Sequence, residues 1–167
     1  MTDVTTYFLE MKDQSELVEK PAPKDISVIE VEIDQFQFNK FLYQYIGGPW
    51  QWTDKLDIKD SQWKEYVENP YVKTWVAYYK GTIAGYFELL AEPNGDTEIV
   101  YFGLAEPFIG KGYGGFLLTQ AIKSAWQVNT TQRIWLHTCT LDHISALNNY
   151  KARGFKIYKQ ESNTVSD

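Results

Sequence analysis

The chain has 167 residues, a formal net charge of −6 at pH 7 and a mean hydropathy of −0.40. These values indicate a soluble chain long enough for one domain with a sizeable core, and they disfavour nucleic-acid binding, which needs a basic face. No run of about 18 apolar residues is present, so no membrane span or membrane partner is expected. The N-terminus lacks a secretory pattern and the single cysteine, Cys139, excludes an internal disulfide, so a cytoplasmic location is expected.

The first half of the chain predicts two strands, two helices and a hairpin. Alternating or β-branched residues mark the strands, an apolar period of 3.6 marks the helices, and glycine and proline at 47–49 end the first helix. The predicted elements are a strand at 4–11, a polar connector to residue 25, a strand at 27–33, a helix capped by Asp34, a short helix at 61–68, and hairpin strands at 72–79 and 82–90.

The second half predicts strands that alternate with helices. A strand at 98–104 is joined by a short connection to a glycine-rich segment and a helix. A strand at 133–140, a helix within 141–155 and a short closing strand at 156–160 follow. The polar tail at 161–167 is expected to fray. Because no repeat or linker divides the sequence, residues 1–167 are predicted to form one domain.

The glycine-rich segment is the most informative feature of the sequence. Gly110, Gly112, Gly114 and Gly115 let the backbone turn tightly and present bare N–H groups at the start of a helix, an arrangement that binds phosphate. A purely structural helix entry is disfavoured, because four glycines lose much backbone entropy on folding. We therefore expect a phosphorylated cofactor at this segment.

Two nucleotide-binding motifs fit this segment poorly. A P-loop needs Lys and then Ser or Thr after its last glycine, whereas Lys111 lies inside the run and Phe116 follows it. Residues 110–115 do spell G-x-G-x-x-G, the dinucleotide fingerprint. However, no acid that could bind a ribose lies at 130–135, and residues 105–109 separate the strand from the glycines. A nicotinamide-dependent oxidoreductase is therefore a weak alternative.

The segment resembles the coenzyme A pyrophosphate loop of the GNAT superfamily of acyl-CoA-dependent N-acetyltransferases. That loop reads Gln or Arg, two residues, Gly, one residue, then Gly or Ala. The matching slots here are Ile109, Gly112 and Gly114. Ile109 replaces the usual Gln or Arg, but this slot acts partly through its backbone.

A second block resembles the family's late motif, in which a helix carries a small residue, a Tyr four residues later and then Gly-Phe. Ala146, Tyr150 and the pair at 154–155 occupy these slots, whereas His143 stands where the family often has Asn. The two blocks occur in the family's order and together cover residues 97–155.

The resemblance implies a mixed α/β (α+β) fold, with a mostly antiparallel central sheet flanked by about four helices and with strands that splay apart at an acetyl-CoA site. It implies acetyl-CoA as co-substrate and no metal, although a longer acyl donor stays open. The residues that the resemblance assigns to the coenzyme are Phe102, Leu104, Ile109, Gly110, Lys111, Gly112, Tyr113, Gly114, Gly115 and His143.

The implied reaction is attack of a neutral amine on an acyl thioester. A lysine-like amine is charged at neutral pH, so a base must remove its proton. Glu98 is the predicted base, because its spacing from the glycines resembles the histone-modifying branch of the superfamily, and Glu88 is the alternative. The resemblance also implies that the backbone N–H of Leu104 stabilises the developing negative charge on oxygen and that Tyr150 protonates the leaving thiolate.

Aromatic residues lie where this superfamily shapes its acceptor pocket. Trp50, Trp52 and Trp75 are predicted to contact a small-molecule or peptide amine through cation–π interactions, with Trp63 and Tyr66 nearby. The same rings could equally cover the core. Monomer and homodimer both stay open.

Two other interpretations are compatible with the sequence. A non-catalytic domain that binds or senses acyl-CoA is the main alternative to an enzyme. His137 and Cys139 lie on one face of a strand, but two His and one Cys cannot build a closed zinc site, so a packed cysteine is the favoured interpretation.

Overall fold

One seven-stranded sheet forms the centre of the computed structural model, which describes residues 2–50, 52–55 and 57–165. The strands are β1 Thr2–Met11, β2 Ile26–Glu30, β3 Val72–Tyr79, β4 Thr82–Ala91, β5 Asp96–Leu104, β6 Arg133–Cys139 and β7 Lys156–Val165. The α-helices are α1 Phe36–Gly47, α2 Asp60–Val67, α3 Tyr113–Gln127 and α4 Ala146–Ala152. No helix in these described ranges is long and apolar enough to cross a membrane.

The strands lie in the order β2-β3-β4-β5-β6-β1-β7, and every neighbouring pair except β5 and β6 is antiparallel. A parallel pair needs a crossover connection, which α3 supplies. β5 and β6 pair only where residues 96–98 face residues 133–135, so the two strands separate beyond Glu98. The predicted mixed, mostly antiparallel fold with splayed strands is confirmed.

The helices cover both faces of the sheet. Side chains alternate between faces along a strand, so on β3 Val76 packs in the cluster with α1 and α2, whereas Ala77 packs in the cluster with α3. Leu42 on α1 and Leu117 on α3 are both fully buried. Burial of each such side chain contributes about 1.5–3 kcal/mol, so both layers hold their helices against the sheet.

The C-terminal segment differs from its predicted form. β7 extends to Val165 and pairs with β1 from Thr2 to Glu10, so the described part of the tail is a strand. β1 lies between β6 and β7, and without β7 one edge of β1 would leave its backbone N–H and C=O groups unpaired. Backbone hydrogen bonding to β1 therefore places this polar segment in a strand. Residues 166 and 167 of the predicted tail lie outside the described residues.

Two boundaries near the first helix also differ from their predicted positions. The strand predicted at 27–33 ends at Glu30, although the Val31 N–H still donates to the Thr74 carbonyl at 2.8 Å. The helix begins at Phe36, so the residue at its N-cap is Gln35 and not Asp34. Gln35 makes no side-chain capping bond, and packing of the helix against the sheet fixes its start without one.

Candidate active site

A cavity of about 770 Å³ opens where β5 and β6 separate. Its volume lies within the usual range for small-molecule and cofactor sites. Its wall includes most of the residues that the sequence analysis assigned to the coenzyme, to catalysis or to the acceptor: Trp50, Trp52, Glu98, Phe102, Leu104, Ile109, Gly110, Gly112, Gly114, Gly115, His143 and Tyr150. The fold therefore gathers two separate sequence blocks around a single space.

The glycine-rich segment forms the N-terminal end of α3. Gly112 is the N-cap residue with φ +88°, and Gly110 has φ +78°, values in the left-handed region that favours glycine. A Cβ at either position would meet no atom within 4 Å, so the approach to this helix end is open. The first N–H groups of a helix have no partner within it and carry partial positive charge. This end of the cavity therefore fits the phosphates of a coenzyme.

Side chains from distant parts of the chain support this helix end. Asn149 Nδ2 donates a hydrogen bond to the Gly114 carbonyl at 3.1 Å. Arg153 and Lys20 lie against Gly115, where a Cβ would collide with the guanidinium and lie 2.6 Å from Lys20 Cδ. Both cations line the cavity of a chain with a formal net charge of −6. Asn149 and Lys20 could not be predicted from the sequence, because only folding brings the connector and α4 to α3.

Glu98 lies at the last paired position of β5 with β6, where the gap begins. Its side chain is 17% exposed and faces the cavity, with Oε2 at 3.9 Å from His137 Nε2. Burial and then the negative charge of Glu92 raise the pKa of the Glu98 carboxyl to about 7, while the Lys55 ammonium opposes the rise. A carboxyl that titrates near neutral pH is matched to proton removal from an amine.

The backbone N–H of Leu104 points into the gap. The Ala105 N–H donates to the Ala84 carbonyl at 2.8 Å, so it is directed towards β4. Because successive amides of a strand point to opposite sides, the Leu104 N–H is directed away from β4. β6 has already diverged on that side, and Leu104 lines the cavity. This amide is therefore placed to donate to an oxygen inside the cavity.

Tyr150 on α4 reaches the cavity from the other side of the gap. Its side chain is buried, and its ring meets the edge of Phe102 at a centroid distance of 6.0 Å. Burial and then the negative charge of Asp142 raise the pKa of the Tyr150 phenol well above its usual value. The hydroxyl therefore stays protonated at neutral pH and can donate a hydrogen bond into the cavity.

Glu88, the alternative base, has a different environment. It is 1% exposed, and it accepts hydrogen bonds from Asn39 at 2.8 Å, Thr74 at 2.9 Å and Tyr66 at 2.6 Å. These donors come from α1, β3 and α2, so the carboxylate joins the sheet to the helices on that face. The described cavity wall does not include Glu88. This geometry favours Glu98 as the base.

The predicted aromatic residues separate into two groups. Trp50 and Trp52 line the cavity, and Trp50 meets His143 edge-on at a centroid distance of 5.2 Å. Trp75 is not part of the described wall; it stacks on Phe87 at 5.0 Å and packs against the core under α3. Strand alternation explains the difference, because β3 directs Trp75 to the face opposite α1 and α2.

Lys111 and Tyr113 of the glycine-rich segment do not contribute side chains to the described wall. Tyr113 packs against Tyr79 and Phe108 at centroid distances of 5.9 and 5.7 Å. The two residues lie at the start of α3, where backbone N–H groups are the available donors.

His137 and Cys139 both line the cavity, on the β6 side of the gap. Burial raises the pKa of the half-buried Cys139 thiol, so the thiolate is scarce at neutral pH. This disfavours a role for Cys139 as a nucleophile.

Comparison with protein-family models finds a match to the acetyltransferase (GNAT) family over residues 31–155. The chain belongs to the GNAT family. The matched range contains the glycine-rich segment, Glu98 and Tyr150, and it extends upstream through α1 and α2. Comparison with curated protein sequences finds no match.

Solved structures of GNAT proteins share the fold. A GCN5-related N-acetyltransferase from Kribbella flavida is 14% identical, with a TM-score of 0.69, over 95% of this chain and 56% of that one. One from Sphaerobacter thermophilus is also 14% identical, with a TM-score of 0.70, over 94% of this chain and 49% of that one. An aminoglycoside acetyltransferase from an uncultured soil metagenomic sample is 10% identical, with a TM-score of 0.62, over 77% of this chain and 87% of that one. The chain spans about half the length of the first two.

This GNAT chain also carries a charged network that the sequence analysis missed. Asp54 accepts hydrogen bonds from the hydroxyls of Tyr43, at 3.0 Å, and Tyr101. Lys55 Nζ donates to the Tyr101 hydroxyl at 2.5 Å. Asp54 and Tyr101 line the cavity beside Glu98. The sequence signal is weak, because Asp54 and Lys55 stand in a loop without periodicity and their partners are distant in sequence.

Proposed function

We propose that this GNAT family member transfers an acetyl group from acetyl-CoA to a primary amine, by direct attack of the amine. The observation that carries the proposal is the single cavity between β5 and β6, with an open helix N-terminus at one end and Glu98, a carboxyl of raised pKa, at the other. Phosphate binding and proton removal are the two tasks that this reaction requires of the protein.

The coenzyme end would act mainly through backbone. The N–H groups at residues 110–115 would hold the pyrophosphate, and the open space at Gly110 and Gly112 leaves room for it. Phe102, Ile109 and residues of the β6–α4 loop would line the remainder of the coenzyme site. When bound, acetyl-CoA supplies an acetyl thioester that an amine can attack.

Glu98 would take the proton from the amine. A pKa of about 7 leaves a substantial fraction of this carboxyl ionised at neutral pH while keeping it basic enough to accept a proton. The Leu104 N–H would donate to the carbonyl oxygen as negative charge develops there. Tyr150 would give its proton to the departing sulfur. This last contribution is the smallest, because a thiol has a pKa of about 8.5 and leaves readily as a thiolate.

The acceptor end suits a cationic amine. Trp50, Trp52 and Asp54 line this part of the cavity, and aromatic rings with a carboxylate attract ammonium groups. The shared fold of an aminoglycoside acetyltransferase supports small-molecule amines as candidates, and peptide amines are equally compatible with the cavity.

Calorimetric titration of the purified chain with acetyl-CoA tests the proposal, with NADH as the control ligand. We expect saturable one-site binding of acetyl-CoA and no binding of NADH. A panel of amines, read by released thiol, then tests for turnover. Absence of acetyl-CoA binding would contradict the proposal, and binding without turnover on any amine would favour a sensing domain.

A further inference from the structure

The Lys55 ammonium lies inside a group of aromatic rings. Its Nζ atom is 4.0 Å from the ring centroid of Tyr66, 4.5 Å from that of Tyr101 and 6.0 Å from that of Trp63. These distances are within the range of cation–π attraction. Only 14% of the Lys55 side chain is exposed. We call this group of three rings, together with Asp54, the ammonium nest.

Polar groups complete the ammonium nest. Lys55 Nζ donates to the Tyr101 hydroxyl at 2.5 Å and lies 3.8 Å from Asp54 Oδ2. Burial lowers the pKa of the Lys55 amine, while the negative charges of Asp54, Glu88 and Glu98 oppose this effect. The surroundings thus combine rings and carboxylates, the two kinds of group that bind an alkylammonium.

The nest adjoins the candidate active site. Tyr101 and Asp54 belong both to the nest and to the cavity wall that contains Glu98. Lys55 itself comes from the loop between α1 and α2. Among residues 52–55 and 57–58, the backbone N–H groups of Trp52 and Lys55 donate hydrogen bonds, at 3.2 and 3.1 Å. An irregular loop opens at a lower free energy than a helix or strand does.

We propose that the ammonium nest is the acceptor subsite, that Lys55 occupies it when no acceptor is bound, and that the acceptor is a primary amine on an unbranched alkyl chain, which replaces Lys55. This inference rests on the acetyl transfer proposed above. The Lys55 side chain is itself such an amine, so it shows which chemistry the nest accommodates.

Acetyl transfer to the acceptor amine follows the replacement of Lys55. The acceptor ammonium loses a proton to Glu98, and its nitrogen forms a C–N bond to the acyl carbon. The C–S bond breaks, the sulfur takes up a proton from Tyr150, the second proton of the acceptor nitrogen passes to the Tyr150 oxygen, and an N-alkylacetamide and a free thiol result. The proton on Glu98 is then released to solvent. Lys55 competes with an external amine for the nest. The apparent Kd of the external amine therefore equals its intrinsic Kd divided by the fraction of molecules in which Lys55 has left the nest.

Removal of Lys55 should open the nest to an added amine. We expect n-butylammonium chloride to raise the Tm of Lys55→Ala in a saturable manner, by about 3 °C near saturation. The wild-type chain, and Lys64→Ala as a matched control at an exposed lysine of α2, should respond weakly or not at all. n-Butanol should have no effect on any of the three. An equal response of all three proteins, or none for Lys55→Ala, would overturn the inference.

The binding result does not depend on catalysis, so it separates failure of the inference from failure of the proposed function. Where acetyl-CoA binds, Lys55→Ala should release thiol with n-butylamine at about tenfold lower half-saturating amine than the wild type. Unchanged half-saturation would contradict the role of Lys55.

If Lys55→Ala does not fold, trace labelling of wild-type lysines with acetic anhydride provides the test. n-Butylammonium should increase the labelling of Lys55 relative to that of Lys64, a ratio that corrects for the anhydride that the added amine consumes. A constant ratio of Lys55 to Lys64 labelling up to saturating amine would overturn the inference.

Discussion

The two ends of the cavity are built in different ways. The end proposed for the coenzyme is a helix N-terminus, in which glycines at 110–115 shape the backbone and amides are the available donors. The end proposed for the acceptor consists of side chains: Glu98 and Tyr101 come from β5, and Asp54 comes from the loop between α1 and α2. A backbone site is encoded locally, whereas a side-chain site exists only after folding. Substitutions at the two ends should therefore separate coenzyme affinity from turnover.

The largest expected effect is at Glu98. Glu98→Gln keeps the size of the side chain but cannot accept the amine proton, so kcat should fall about 100-fold or more. The affinity for acetyl-CoA, measured by calorimetry, should stay within about twofold because the helix end is untouched. The rate is measured by thiol release with the best amine from the panel. A wild-type rate would remove Glu98 from the mechanism and leave the acceptor end without a base.

The converse effect is expected at Gly112. Gly112→Val places a branched side chain at φ +88° beside the open helix end, so acetyl-CoA affinity should fall by about 2 kcal/mol, roughly 30-fold in Kd. Gly81→Val is the matched control, because Gly81 has φ +90° in the β3–β4 hairpin and is equally free of neighbours. Both variants should lose stability, but only Gly112→Val should lose affinity. Equal acetyl-CoA affinities of Gly112→Val and Gly81→Val would contradict a phosphate site at Gly112.

A smaller effect is expected at Tyr150, which lies between the two ends. Tyr150→Phe keeps the ring packing against Phe102 but removes the proton donor, so kcat should fall about tenfold with little change in Kd for acetyl-CoA. Tyr158→Phe, at a tyrosine that is 44% exposed on β7, should have no effect on either quantity. A loss of affinity without a loss of kcat would make Tyr150 a packing residue.

The smallest expected effect is on stability and its pH dependence. Folding raises the pKa of the Glu98 carboxyl from 4.5 to about 7, so the folded state favours the protonated form. This contribution is fully present below pH 4.5 and is lost as the pH rises through about 7. Glu98→Gln cannot ionise, so its Tm relative to wild type should rise by about 3 °C between pH 5 and pH 8. A Tm difference between Glu98→Gln and wild type that does not change with pH would show that folding does not raise the pKa of the Glu98 carboxyl.

The local patterns of the sequence predicted much of the structure. The hairpin of β3 and β4 follows from its alternation, and the glycines before α3 follow from the backbone that they permit. The tail was predicted wrongly, because the polar sequence of β7 carries no sign that β1 has an edge to fill. Trp75 could not be assigned to a face of the sheet, because its surroundings depend on the register of β3.

The GNAT resemblance, the splayed fold that it implies and the position of the glycine-rich helix end could all be predicted from the sequence, because they depend on residues close together in the chain. The sequence could not show which carboxyl faces the cavity, because Glu88 and Glu98 lie on neighbouring strands and differ only in the side chains that folding brings to them. Folding alone also brings Lys55 among the rings of Tyr66 and Tyr101. The chemistry of the proposed acceptor end depends on side-chain burial, on which face of its strand each side chain occupies, and on contacts between residues distant in sequence. All three exist only in the folded chain.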